Sequence, residues 1–341
     1  MAPRADRPFA RVALGRGRAV DLWCEDAITG LPHRIARGSV DVVVTSPPYN
    51  LGAPYGEYAD ARPRPEYVRW MGELAGAVDR VLADDGSFFL NIGGRPKDPW
   101  LPWDVARAVG ERFELQNVIH WIKSIAIDRA SAGRAAALDR DLALGHYKPL
   151  RSRRYVHGAH EYIFHFSRHG DVPIDRLAVG VPFQDKSNVE RWSSSVGDLR
   201  CRGNTWFLPY PTIRTRLRDR PHPASFPPEL AEWCVRLHGV HRVGRIVDPF
   251  VGIGSTGVAA ARLGISAIGF DLDRVYLSEA VRRIRAALPR ATKGRRGARP
   301  TSGRPTASPY RPQPARSVIC CRCRRRSCSA NTTSSAIRSL C

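Results

Sequence analysis

Two short stretches of this 341-residue chain carry residue types that could do chemistry in the order they stand. Residues 45–50 read TSPPYN directly after the apolar run VDVVV, and residues 252–257 read GIGSTG directly after RIVDPFV. A strand that only turned would more usually finish on Gly, Asn or Asp. Pro47-Pro48 instead fixes two φ angles and leaves two carbonyls with no neighbouring N–H, so something is held stiffly at the strand's C-terminal end. In isolation, PPY reads better as a rigid proline turn with Tyr49 in the core.

The glycine turn admits two ligands. GIGSTG matches G-x-G-x-x-G, follows a strand, opens a helix and has Asp271 at the end of the next strand, which is the pattern of a dinucleotide site and of an NAD-dependent oxidoreductase. The DPF before it points elsewhere, because a carboxylate at that bend would repel a pyrophosphate. Asp248 suits a ligand that carries positive charge. S-adenosylmethionine is such a ligand: its sulfonium and amino groups are cationic, and its ribose still calls for an acid, here Asp271. The plainer readings are a turn that packs helix on strand, a cap for Asp248 and a turn carboxylate for Asp271.

Parallel α/β architecture is what would bring two such strand ends together. SVDVVVTS (39–46) reads as a buried strand; PEYVRWMGELAGAVDRVLA follows with apolar residues at helical spacing, Asp84-Asp85-Gly86 breaks it, and SFFLNIG gives a second strand. DVARAVGERF, LQNVIHWI and HEYIFHFS (160–167) continue the alternation. From PPELAEWCVRLH onward the order is helix, the strand GRIVDPF, the glycine turn, the helix VAAARL, the strand ISAIGFDLD and a last amphipathic helix to about Leu288. Apart from HEYIFHFS, regularity is lost between about 124 and 222. In a doubly wound sheet the two candidate strands should be neighbours at the switch point, with ligands at their C-terminal ends.

Composition fits a globular chain with a basic partner surface. Hydrophobic residues make up 43% and the formal charge is +22, but residues 289–341 hold 13 Lys and Arg and no Asp or Glu, which leaves +9 for residues 1–288. The tail reads as disordered. Cys24, Cys201 and Cys234 are scattered, and the tail run CCRCRRRSC has no accompanying His, so no metal is assigned. The N-terminus lacks an apolar signal core and no window approaches a membrane span, which makes a reducing, cytoplasmic setting without disulfides the expectation.

With these motifs in hand, the sequence resembles the amino-group DNA methyltransferases that act on exocyclic nitrogens, in the order called the beta class. TSPPYN is similar to their catalytic motif, VDPFVGIGSTGVAA to their cofactor motif, IGFDLDRVYL to their acidic strand, and HPASFPPEL (222–230) to the segment that closes over the methionine moiety. The resemblance covers roughly 20–288. It implies a doubly wound, mostly parallel α/β sheet of the S-adenosylmethionine-dependent (Rossmann-like) type with an inserted target-recognition region. The organisation that follows is an extension at 1–19, a catalytic half at 20–123, an irregular recognition region at about 124–221, a cofactor half at 222–288 and the tail.

The residues implied in catalysis are Ser46, Pro47, Pro48 and Tyr49. Ser46 Oγ and the Pro47 carbonyl would accept from the two N–H groups of a planar nucleobase amine and favour the tetrahedral form whose lone pair attacks a methyl in line; Tyr49 would stack on the flipped base. Cofactor positions are Asp26, His222, Phe226, Asp248, Pro249, Phe250, Gly252, Gly254, Thr256 and Asp271. Ser at the first position goes in this family more with cytosine N4 than with adenine N6, so N4 of cytosine in duplex DNA is the favoured target and adenine N6 the alternative. Lys148, Arg151, Arg153 and Arg154 would meet phosphates, while Asn188, Arg191, Arg202 and Asn204 are types that read base edges. The basic tail could add non-specific affinity for DNA. No Pro-Cys pair offers the nucleophile of a carbon methylase. The resemblance admits a restriction endonuclease of the same site and a homodimer as partners, and an RNA or protein-amide substrate remains open.

Overall fold

Val42, Val43 and Val44 are all fully buried, as a strand covered on both faces requires, and each contributes roughly 1.5–3 kcal/mol by leaving water. A computed structural model describes residues 7–132, 138–145, 152–191, 197–209 and 225–289. Among them, nine strands form the main sheet: β1 Ala10–Gly15, β2 Arg18–Cys24, β3 Val40–Thr45, β4 Leu82–Ile92, β5 Glu114–Ile122, β6 His160–Ser167, β7 Thr205–Phe207, β8 Arg245–Asp248 and β9 Ser266–Asp271. Their spatial order is β1-β2-β9-β8-β3-β4-β6-β5-β7. Only β1 and β6 run against the rest.

Helices cover both faces. α1 Ala27–Arg34, α2 Arg64–Val81 and α3 Leu101–Gly110 bury Leu31, Met71, Leu74 and Val105 against Val43 and Val247. On the other face α4 Pro228–His238, α5 Ser255–Leu263 and α6 Arg274–Ala287 bury Leu230, Val258 and Ile284 with Val42, Val44 and Ile246. Alternate residues of one strand therefore serve opposite cores, which is why VDVVV shows no polar alternation apart from Asp41. No described helix is long and apolar enough to cross a membrane.

Strand β8 pairs directly with β3, parallel, through Ile246 with Val42 and Val247 with Val43. The chain winds outward from β3 to β4 in one direction and from β8 to β9 in the other, so the switch point falls between β3 and β8. Side chains tie these two strands at both ends. Asp41 accepts from the backbone N–H groups of Gly244 and Arg245, each at 2.8 Å, and at the other end Thr45 Oγ1 donates to Asp248 at 2.7 Å.

Three features differ from the sequence reading. Residues 10–15 are an edge strand of the main sheet and not part of an extension: Arg16 (φ 53°) and Gly17 (φ 73°) form a two-residue reversal that folds β1 onto β2. Asp84-Asp85-Gly86 does not end a helix ahead of a separate strand but lies within β4 as a bulge, since Val40 pairs with Leu82 and Val42 already with Ser87. The irregular stretch is also not wholly an insertion. β6 lies in the sheet between β4 and β5, and Trp206 of β7 is buried beside β5 at the sheet edge. What stands apart from the main sheet there is a hairpin of Ser124–Ile127 with Leu142–Gly145 and a short pairing of Val181–Pro182 with Leu199–Arg200.

Candidate active site

A cleft opens where β3, β8 and β9 end, enclosing about 890 Å³ with its open mouth. Ser46 and Pro48 from the end of β3 share its wall with Pro249, Phe250 and Gly252 from the turn after β8 and with Asp271 from β9. The two motifs picked out by residue type thus face one space.

The turn after β8 is built around Asp248. This carboxylate is 1% exposed and accepts from Thr45 Oγ1 at 2.7 Å, Thr256 Oγ1 at 2.6 Å and the Phe250 N–H at 3.0 Å. Burial outweighs these bonds and raises its pKa to about 6. Asp248 does not line the cleft; it joins the loop that begins at Thr45 to the helix that begins at Ser255. Thr256 and Gly254 also stand behind the wall. Gly254 has φ 82°, and a Cβ there would meet that of Ala280 at 2.8 Å, so glycine lets α5 pack on α6. Ser255 Oγ donates to the Phe226 carbonyl at 2.6 Å, which brings Ser225 and Phe226 onto the cleft.

Asp271 does line the cleft. It accepts from Gly252 N–H at 2.9 Å and Asp273 N–H at 2.9 Å, and burial again raises its pKa to about 6. Asp26 lines the cleft too and caps α1 by accepting from Ile28 N–H at 2.9 Å and Thr29 N–H at 3.3 Å. Of the cofactor positions expected from sequence, Asp26, Phe226, Pro249, Phe250, Gly252 and Asp271 face the space. His222 lies outside the described residues.

An aromatic wall completes the cleft, and sequence reasoning did not find it. Asn50 closes the ends of a loop: its Nδ2 donates to the Arg62 carbonyl at 2.7 Å and its Oδ1 accepts from the Arg62 N–H at 2.6 Å. Asp60 sits inside and accepts from the N–H groups of Asn50, Leu51 and Ala53 at 2.7–3.0 Å. This loop delivers Tyr55, Tyr58 and Arg62 to the cleft. Tyr58 stacks on Trp70 with ring centres 5.6 Å apart, Trp70 meets Phe250 at 5.3 Å, and the Arg62 guanidinium lies 4.8 Å from the Trp70 ring centre. The signal was present in YGEYADARPRPEY, where three tyrosines crowd a segment too polar for a strand.

Behind Ser46 lies a polar cluster that sequence also did not disclose. Ser46 Oγ and Tyr49 Oη are 2.8 Å apart, Tyr49 Oη donates to Glu161 Oε2 at 2.8 Å, and Lys123 Nζ donates to Glu161 Oε1 at 2.8 Å. Asn91 Nδ2 donates to Ser46 Oγ, Tyr49 Oη and Glu161 Oε2 at 3.2, 2.6 and 2.9 Å. Burial raises Glu161, but the Lys123 ammonium and these donors outweigh it and hold the carboxyl below its ordinary range. Burial and the neighbouring Glu161 charge push the Tyr49 hydroxyl well up. Tyr49 was expected to offer its face to a ligand; it does not line the cleft and commits its hydroxyl to this cluster. Pro47 is buried and does not line the cleft, and the Tyr67 hydroxyl of α2 donates to the Pro48 carbonyl at 2.7 Å.

The expected DNA-contacting residues divide. Arg153, Arg154 and Arg191 are exposed, while Lys148 and Arg151 lie outside the described residues. Arg202 is engaged within the fold: its Nε donates to the Val179 carbonyl at 2.8 Å and its guanidinium lies 4.1 Å from the Trp233 ring centre. Asn204 Nδ2 donates to the Val118 carbonyl at 3.0 Å. The last two brace β7 and its neighbours.

Comparison with known proteins places the chain in a family. A family model described as DNA methylase, for N6 and N4 methyltransferases, matches residues 40–282. Type II methyltransferase M.SmaI of Serratia marcescens is 28% identical over 295 residues, covering 76% of this chain and 87% of that protein. M.ScaI of Streptomyces caespitosus is 27% identical over 278 residues, 76% of this chain and 79% of its own length. The DNA adenine methyltransferase YhdJ of Escherichia coli is 22% identical, with 77% and 81% covered. Among solved structures, the cytosine-N4-specific PvuII DNA methyltransferase superposes with a TM-score of 0.57 at 19% identity, over 82% of this chain and 90% of that one, which speaks to the fold.

Proposed function

Since the chain belongs to the N6/N4 DNA methylase family, we propose that it transfers a methyl group from S-adenosylmethionine to the exocyclic N4 of a cytosine flipped out of duplex DNA. The observation that carries this reading is the shared cleft, in which Ser46 and Asp271 face one space. The lining suits the cofactor: Asp26, Asp271 and Asp273 supply negative charge, and Phe226, Phe250 and Tyr276 supply flat apolar surface. Asp271 would hold the ribose hydroxyls, with Asp248 adding negative field from behind the turn. When bound there, S-adenosylmethionine supplies an electrophilic methyl. Ser46 accepts a hydrogen bond from the target amine and so draws its lone pair out of the ring plane. Exclusion of water falls to Tyr58, Trp70 and Phe250.

Serine at the first position and a cytosine-specific relative in fold favour N4; the presence of an adenine methyltransferase among the relatives keeps N6 as the second reading. Mass spectrometry of nucleosides from DNA treated with the enzyme decides between them. We expect N4-methylcytosine, and N6-methyladenine as the sole product would replace the first reading by the second. Exposed Arg153 and Arg154 are proposed phosphate contacts and exposed Arg191 a proposed base-edge contact, and a restriction endonuclease of the same site is the partner such an activity protects against.

Cofactor binding should depend on pH. Asp248 and Asp271, both with pKa raised to about 6, are ionised at pH 7.5 and gain protons as the pH falls below 6. A cationic ligand prefers the ionised form. The apparent Kd for S-adenosylmethionine is expected to be flat from pH 8 to 7 and to rise below pH 6, by up to about tenfold per unit for each carboxylate coupled to it. Calorimetric titration from pH 8 to 5 checks this, and an affinity independent of pH across that range would remove these acids from cofactor binding.

A further inference from the structure

The cluster behind Ser46 has a direction that can be counted. Two gaps of 2.8 Å, Ser46 Oγ to Tyr49 Oη and Tyr49 Oη to Glu161 Oε2, each separate two oxygens, and oxygens that close need a proton between them. Glu161, ion-paired with Lys123 at 2.8 Å, contributes none. Only the two hydroxyl protons remain, one for each gap. The tyrosine proton must therefore lie toward Glu161, and the serine proton toward Tyr49. Asn91 is fixed in the same sense: three acceptors converge on its Nδ2, and the reverse amide orientation would set its oxygen against the carboxylate.

Ser46 is left unable to donate into the cleft. Its proton is committed to Tyr49, one lone pair faces Asn91 Nδ2, and the remaining lone pair is available to the space that Ser46 lines. An amine presents N–H groups and fits this; a base bearing a carbonyl at the same position presents only lone pairs and is refused.

We infer that Lys123, Glu161 and Tyr49 form a proton-directing chain that holds Ser46 as an acceptor toward the target amine and carries away the proton the amine loses. This rests on the role of Ser46 proposed above. In the transfer step the N–CH3 bond forms as the S–CH3 bond breaks. The proton shed by the nitrogen passes to Ser46 Oγ, the serine's own proton to Tyr49 Oη, and the tyrosine's to Glu161 Oε2, so the carboxylate ends neutral and later returns its proton to solvent. Glu161 and Lys123 are positioning residues, since they reach the amine only through Tyr49 and Ser46.

The test compares single-turnover methyl transfer to genomic DNA from a methylation-deficient host for the full-length wild type, S46A, Y49F, E161Q and Y49F/E161Q. The expected result is a loss of about 100-fold or more for Y49F and for E161Q, within the range for assisted proton transfer, and no further loss in the double variant because both break one chain. Affinity for S-adenosylmethionine and the thermal midpoint should stay near wild type. A readout without turnover is the infrared difference between wild type and E161Q at pH 7, which should show an ionised carboxylate at position 161. A protonated Glu161, transfer by E161Q within threefold of wild type, or losses that multiply in the double variant would each overturn the chain. Should E161Q fail to fold, Y49F decides alone: a rate within threefold of wild type overturns the proposal. If S46A itself keeps full activity, the function assigned to Ser46 falls; if S46A is inactive while Y49F and E161Q are active, only the chain falls.

Discussion

Ser46→Ala is expected to lower the rate of methyl transfer by about 10²–10³-fold while leaving the affinity for S-adenosylmethionine within about twofold of wild type. The size follows from what is removed: one acceptor in the cleft wall, aimed at a nitrogen that becomes a nucleophile only as its geometry changes. An interaction stronger in the transition state than in the ground state acts on kcat and leaves binding largely unaltered. Stability should change little, because Ser46 is only half-buried and its partners Tyr49 and Asn91 keep each other and Glu161. Single-turnover transfer with radiolabelled cofactor, paired with calorimetry, separates the two effects. Full activity in S46A would end the assignment, whereas loss of cofactor binding would move Ser46 from the chemistry to the cofactor wall.

How much of this site could be read before the fold was known depends on whether a residue's role is local in sequence. The strand ends were legible because each is marked locally, by an apolar run and the turn residues beside it. β3, β6, β8 and β9 fall within three residues of their expected ends. Topology was legible for the same reason, since alternating strand and helix patterns leave few ways to wind a parallel sheet. Glu161 and Lys123 were not. Glu161 sits in HEYIFHFS, where it reads as the exposed polar position of a strand, and only the insertion of β6 beside β4 carries it to Tyr49, 112 residues away in sequence. Hydrogen bonds across strands that are not consecutive leave no periodicity to find. The edge strand β1 was missed because ARVALG is short and its reversal uses Arg16 in a left-handed conformation, where Asn or Gly would have announced a hairpin. Arg202 and Asn204 show the same limit: their types suit base edges, and nothing local in the sequence shows that each also holds a carbonyl of a neighbouring segment.

Asp248 offers a sharper experiment than its motif suggests, because its two roles can be separated by choice of substitution. D248A removes the acceptor of three bonds at once. The threonine hydroxyls can turn to other partners, but the Phe250 N–H cannot, and a small cavity opens between the two strand ends. The expected cost is about 2–4 kcal/mol of stability, read as a shifted urea midpoint, together with a cofactor affinity lowered at least tenfold because the turn carrying Gly252 is no longer tied to β3. D248N keeps the shape. Its Oδ1 still accepts from Phe250 and Thr45, and its amide can donate to Thr256 Oγ1 once that hydroxyl rotates. It also removes a buried charge whose ionisation, with a pKa raised from 3.8 to about 6, costs on the order of 3 kcal/mol at neutral pH. Stability of D248N should therefore match or exceed that of wild type at pH 7.5. Cofactor affinity should still fall several-fold, and its dependence on pH should become shallower by the contribution of one carboxylate. Were D248N to bind S-adenosylmethionine as tightly as wild type, the charge at this bend would be incidental and Asp248 would be a structural clamp between β3 and α5.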